Sequence, residues 1–109
     1  MLKPEPQPMT VAPGIDVSSD QIADLCRRYQ VREMALFGSA ARGELRADSD
    51  IDVLVELQPN HGLGLFEFDD LQTQLSRVFD RPVDLVSKSG LKPRVRPFVL
   101  RDAKVIYAA

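Results

Sequence analysis

"FGSAARGELRADSDIDVLVEL", Phe37 to Leu57, runs from the end of one apolar segment through a Gly-Ser pair and an acidic turn into a second apolar segment. The second segment alternates as a strand does: Ile51, Val53 and Val55 share one face, and Asp50, Asp52 and Leu54 share the other. Residues two apart on a strand stand about 6.5 to 7 Å apart at Cα with their side chains on the same side. Ionised Asp50 and Asp52 therefore repel each other unless a cation sits between them. Oxygen-only ligands on a rigid strand suit hard Mg²⁺ or Mn²⁺, which keep open positions for phosphate oxygens and water. Two such ions about 3.5 to 4 Å apart, sharing the carboxylates, would activate an attacking oxygen and stabilise a leaving phosphate. A structural alternative stands beside this reading, in which Asp50 caps a turn after Ser49 and Asp52 pairs with Arg42 or Arg46.

The rest of such a site lies on either side. "EMALFGS" reads as a strand ending at Gly38, where a glycine lets the backbone approach a ligand closely. Ser39 and the amides that follow it at a helix start are placed to cradle phosphate oxygens. "RPVDLVS" reads as a third strand with Asp84 in the middle of an apolar run. Val83 and Leu85 belong to the core, so Asp84 emerges on the other face, and pairing beside Asp50-x-Asp52 would bring it to the same metals.

Further out, a chain of 109 residues makes one domain that buries roughly 65% of its unfolded surface. That leaves little room for a separate acceptor-binding domain. A net charge of −2 gives no general attraction to nucleic acid or to an anionic membrane, and direct nucleic-acid binding is not expected. The single cysteine and the absence of a long apolar run point to a cytoplasmic protein with no membrane association. Residues 1–14 hold four of the eight prolines and read as a flexible, extended tail, with the domain at 15–109. Ser18-x-x-Gln21 fits a capping box, and Ile22, Leu25, Cys26 and Tyr29 follow the helical rule, which makes Cys26 a core residue. After the "PNHGLG" loop, where His61 reads as a solvated histidine, Phe68, Leu71, Leu75 and Val78 mark a helix ending near Asp80. A helix from about Leu91 to Asp102, kinked or delayed by Pro97, and a short strand through Val105 and Ile106 complete the chain. Lys88, Lys92, Arg94, Arg96, Arg101 and Lys104 form a basic cluster that is either a solvated face or a surface for a triphosphate or an acidic partner. The fold class is α/β (α+β), a small mixed sheet flanked by helices.

"GSAARGELRADSDIDVLVEL" resembles the signature of the nucleotidyltransferase superfamily shared by DNA polymerase beta and kanamycin nucleotidyltransferase, a Gly-Ser pair followed after ten residues by Asp-x-Asp. The "ARG" at Ala41 to Gly43, the "SD" at Ser49-Asp50 and the later "VDLVSKSGLKPRVR" resemble more narrowly the minimal nucleotidyltransferases known as MntA antitoxins, which pair with HEPN-domain ribonuclease toxins. The similarity runs from about Ile22 to the C-terminus and leaves out the proline-rich start. It implies a nucleotidyltransferase fold with Asp50, Asp52 and Asp84 as catalytic metal ligands. Pro97 is a departure from the family pattern and puts any partner surface on the last helix in question.

Together these readings give a transferase that moves AMP from ATP to a hydroxyl, with two Mg²⁺ ions, or Mn²⁺, on Asp50, Asp52 and Asp84. Gly38, Ser39 and Arg42 are assigned to the nucleotide phosphates. The implied partner is a HEPN toxin in a hetero-oligomer with this chain, and the acceptor is a tyrosine. Two alternatives are an antibiotic-type enzyme with a small-molecule acceptor and a non-catalytic antitoxin that works by occlusion.

Overall fold

The computed structural model describes residues 8–109. Strands β1 (Pro8–Ala12) and β2 (Ile15–Ser18) form an antiparallel hairpin and lead into helix α1 (Ser19–Arg28). Strand β3 (Val31–Phe37) passes directly into the five-residue helix α2 (Gly38–Arg42), and strand β4 (Ile51–Leu57) follows. Helix α3 (Leu65–Phe79) crosses to strand β5 (Val83–Ser87), and helix α4 (Arg96–Asp102) precedes the last strand, β6 (Lys104–Ala108). The main sheet has the order β5-β4-β3-β6; only the β4–β5 pair, joined by α3, is parallel. This is the mixed sheet flanked by helices expected from the sequence.

The apolar periods explain how the layers meet. Ile22, Leu25 and Cys26 of α1 and Leu71, Leu75 and Phe79 of α3 bury themselves on one face of the sheet. Met34, Leu36, Ile51, Val53 and Val55, each fully buried, answer them from the strands. Ser18 caps α1 by accepting the Gln21 amide at 3.3 Å, as the capping-box spacing requires. Burial pushes the Cys26 thiol up to about 12, with Arg27 opposing weakly, so the group stays protonated and inert. On the opposite face Leu54 is buried, while Asp52 beside it is half-buried and Asp84 is exposed.

One expectation needs correction, and one alternative is decided. Of the tail expected over residues 1–14, residues 1–7 lie outside the described residues. Residues 8–14 instead make the first strand and turn of the hairpin, with Val11 and Ala12 buried in the core. Gly14, at φ +76°, makes the turn, and Thr10 Oγ1 donates to Asp16 Oδ1 at 2.6 Å across it. The last helix starts late rather than kinking. It begins at Arg96, so Pro97 falls in the first turn, where a missing N–H costs nothing.

Candidate active site

Asp52 lies at the start of β4, flanked on both sides in register: Phe37 of β3 is its partner on one side and Asp84 of β5 on the other. Register partners on neighbouring strands project to the same face, so Asp52 and Asp84 emerge together on the open side of the sheet. Asp50 precedes the strand by one residue and is exposed, as is Asp84; Asp52 is half-buried. Burial raises the Asp52 carboxyl above its usual range, and the charges of Asp84 and Asp50 raise it further, against a lowering by Arg42. None of the ion pairs among the described residues includes any of the three. The alternative in which Asp52 is neutralised by Arg42 or Arg46 therefore has no ion pair to support it.

Gly38 explains how strand and helix fit so closely. Its φ of +66° belongs to the left-handed region, and a Cβ there would stand 3.3 Å from Asp52 Cγ and collide with Oδ2. Only glycine admits this approach. Ser39 follows in the first turn of α2, which has no side-chain cap, while Gly43, at φ +73°, closes the other end as the Glu44 amide reaches Ser39 O at 2.8 Å. Arg42 projects toward α4: its Nε stands 3.1 Å from Glu44 Oε2 and its Nη1 3.7 Å from Asp102 Oδ2. The structure thus joins Gly38 to Asp52 and Asp52 to Asp84, and turns Arg42 to carboxylates.

Several positioning groups carry no signal in the sequence. Arg81 Nη1 donates to the carbonyls of Arg46 at 2.9 Å and Ser49 at 3.3 Å, clamping the turn that delivers Asp50. Within that turn Ser49 Oγ accepts the Arg46 amide at 3.1 Å, so Ser49 closes the turn and Asp50 is left outside it. The outer edge of β5 is held by α3: Ser76 Oγ accepts the Val83 amide at 3.1 Å and Gln72 Oε1 the Leu85 amide at 3.0 Å. Asp84 sits between those two anchored residues. Apart from the local Ser49–Arg46 bond, these bonds join groups 7 to 35 residues apart, beyond the reach of any local pattern.

Among the described residues no three His, Cys, Asp or Glu side chains are gathered tightly enough to chelate a metal. The donor chemistry still fits a hard divalent ion. Asp52 and Asp84 share one face, the charge of Asp50 also acts on Asp52, no ion pair among the described residues includes any of the three, and burial together with these like charges disfavours the ionised form of Asp52. His61 is remote from them in a loop, where its Nδ1 accepts the Leu63 amide at 2.8 Å. A cavity of about 760 Å³ lined by Leu57, His61, Leu63 and Phe68 opens at that opposite end of β4 and β5, away from the carboxylates. No helix among the described residues is long and apolar enough to cross a membrane.

Comparison with known proteins accords with the geometry. Residues 19–106 match the model of the nucleotidyltransferase domain family. The chain is 40% identical over 84 residues to the protein adenylyltransferase MntA of Thermococcus cleftensis, covering 77% of this chain and 81% of that one. A solved structure described as a minimal nucleotidyltransferase superposes with a TM-score of 0.68 at 40% identity, over 79% of this chain and 86% of the other. A toxin-antitoxin crystal structure with AMP-PNP superposes with a TM-score of 0.69 at 25% identity, over 84% and 73%. The chain is therefore a nucleotidyltransferase of the family to which the MntA protein adenylyltransferases belong.

Proposed function

We propose that this chain transfers AMP from ATP to a tyrosine hydroxyl of a HEPN-domain ribonuclease toxin and thereby acts as its antitoxin. The observation that carries the reading is the register of Asp52 opposite Asp84, with Gly38 closed against Asp52. The 40% identity to a protein adenylyltransferase supports the adenylyl group and a protein acceptor. The fold shared with a toxin-antitoxin structure holding AMP-PNP supports the partner and the nucleotide.

Asp50 and Asp52 would hold two Mg²⁺ ions, with Mn²⁺ able to replace them, and Asp84 would complete one of the two sites. Bound there, the ions would neutralise the triphosphate and lower the pKa of the acceptor hydroxyl. Ser39 and the uncapped amides at the start of α2 hold the outer phosphates. Arg42 is half-exposed, and its solvated pair with Asp102 is weak enough to exchange for a phosphate oxygen. Asp84 orients the attacking hydroxyl and takes its proton. The hydroxyl oxygen forms a bond to the α-phosphorus as the bond to the β-bridging oxygen breaks, and pyrophosphate leaves.

The open sheet face around Asp52 and Asp84 admits a bulky acceptor, so a macromolecule can deliver the hydroxyl. Tyrosine suits this, since its phenol has a reference pKa near 10 and ionises far more readily than a serine hydroxyl. The product adds a negative charge where the toxin must bind RNA phosphates. Incubation of the chain with Mg²⁺, α-labelled ATP and the toxin, followed by mass analysis of the toxin, is expected to show one or more AMP units on tyrosine. A Tyr→Phe toxin should escape labelling. Full neutralisation of the toxin by Asp50→Asn Asp52→Asn protein without nucleotide would instead establish occlusion.

A further inference from the structure

Helix α4 presents an aromatic ring to solvent beside the phosphate cradle. Phe98 is 60% exposed, and its ring lies under the Arg101 guanidinium at 5.6 Å from the centroid. A cavity of about 120 Å³ separates Phe37, Gly38 and Arg42 on one wall from Phe98, Val99 and Asp102 on the other. The first wall belongs to the site itself: Gly38 presses on Asp52, and Phe37 is the register partner of Asp52, one strand spacing of about 4.8 Å away. The second wall is held against the first by the Arg42–Asp102 pair at 3.7 Å.

Resting on the nucleotide-transfer reading, we infer that Phe98 is the platform on which the nucleobase of the bound nucleotide stacks. A triphosphate lying on Gly38-Ser39 with its α-phosphate toward Asp52 must extend its sugar and base away from the carboxylates. The cavity between α2 and α4 opens from that same Gly38. Its far wall supplies what a base needs, a flat apolar ring with an aliphatic neighbour in Val99. A ring held in this way accepts any base on its π-face, while Asp102 at the rim offers an acceptor to an exocyclic amine such as that of adenine. The exposure of Phe98 in the free chain is then the cost of an open nucleotide site.

The test compares ligands with and without a base on the full chain. With Mg²⁺ present, Phe98→Ala should weaken AMP-PNP binding about 10- to 100-fold and leave inorganic tripolyphosphate binding unchanged, while Phe98→Tyr should bind both as the unaltered chain does. Equal losses for the two ligands, or no loss for AMP-PNP, would overturn the assignment. So would a Phe98→Ala chain that binds AMP-PNP normally and loses only its affinity for the toxin, because the ring would then be a protein contact. An unaltered chain that binds tripolyphosphate and AMP-PNP equally well would also remove the base platform, while leaving the carboxylate site standing. Binding of neither ligand by the unaltered chain would overturn the nucleotide-transfer reading, and the platform with it.

Discussion

A carboxylate raised by burial and by two like charges is a cost that a folded chain bears in the absence of ligand, and Asp52 is such a group. The sign follows from linkage. Because the folded-state value lies above the unfolded one, the folded state binds more protons between the two, so this group's contribution to stability is present at low pH and is lost as pH rises through the folded value. Asp52→Asn should therefore raise the metal-free melting temperature near pH 7, with a gain that shrinks as pH falls toward the ordinary carboxylate range near 3.9. Mg²⁺ should stabilise the unaltered chain and fail to stabilise the variant, a contrast that thermal melts with and without Mg²⁺ measure directly. Gly38 belongs to the same scale. Gly38→Ala places an L side chain at φ +66° and drives its methyl into Asp52, so a loss of about 1 to 2 kcal/mol from the backbone alone is expected in urea denaturation. Transfer should fall further, because the displaced atom belongs to a carboxylate proposed to hold the metal. Normal activity in Gly38→Ala would contradict the close fit.

The elements were legible in the sequence to different depths. β4, β5, α1 and α3 follow apolar periods with the expected boundaries, because each buries one face in a shared core and the pattern records that burial directly. The hairpin of β1 and β2 was not legible. Proline density suggested a tail, and only Pro13-Gly14, a turn signal, hinted that the chain doubles back to bury Val11 and Val17. Deleting residues 1–12 should therefore cost at least the burial of one valine, roughly 1.5 to 3 kcal/mol, read as a lower urea midpoint. An unchanged midpoint would return the segment to the role of a tail. The site was legible as residue types and spacing but not as support. Arg81, Gln72 and Ser76 hold Asp50 and Asp84 through bonds to backbone groups, and a bond to backbone leaves no mark on the residue that accepts or donates it. Arg81→Ala should lower kcat for transfer more than it lowers nucleotide affinity, because it loosens the Asp50 turn and leaves the Gly38-Ser39 cradle intact. A matching fall in nucleotide affinity would count against that division.

At the scale of the molecule, α1 and α3 cover one face of the four-stranded sheet, and on the other Asp52 and Asp84 stand at an open end bordered by α4. Openness admits a bulky acceptor and gives up selectivity over it, which must then come from the partner's own surface. Lys92, Arg94 and Arg96 are all exposed at the approach to α4, so an acidic toxin surface would associate faster at low salt. Charge reversal at Arg94 and Arg96 should weaken toxin binding and flatten its salt dependence, and unchanged binding would assign the cluster to solvent. The most direct measurement of the central claim is intact-mass analysis of the toxin after incubation with ATP, Mg²⁺ and either the unaltered chain or its Asp50→Asn, Asp52→Asn or Asp84→Asn variant. The account predicts added AMP on the toxin with the unaltered chain and a loss of several orders of magnitude in transfer rate with each variant; undiminished transfer by any one of them would contradict it.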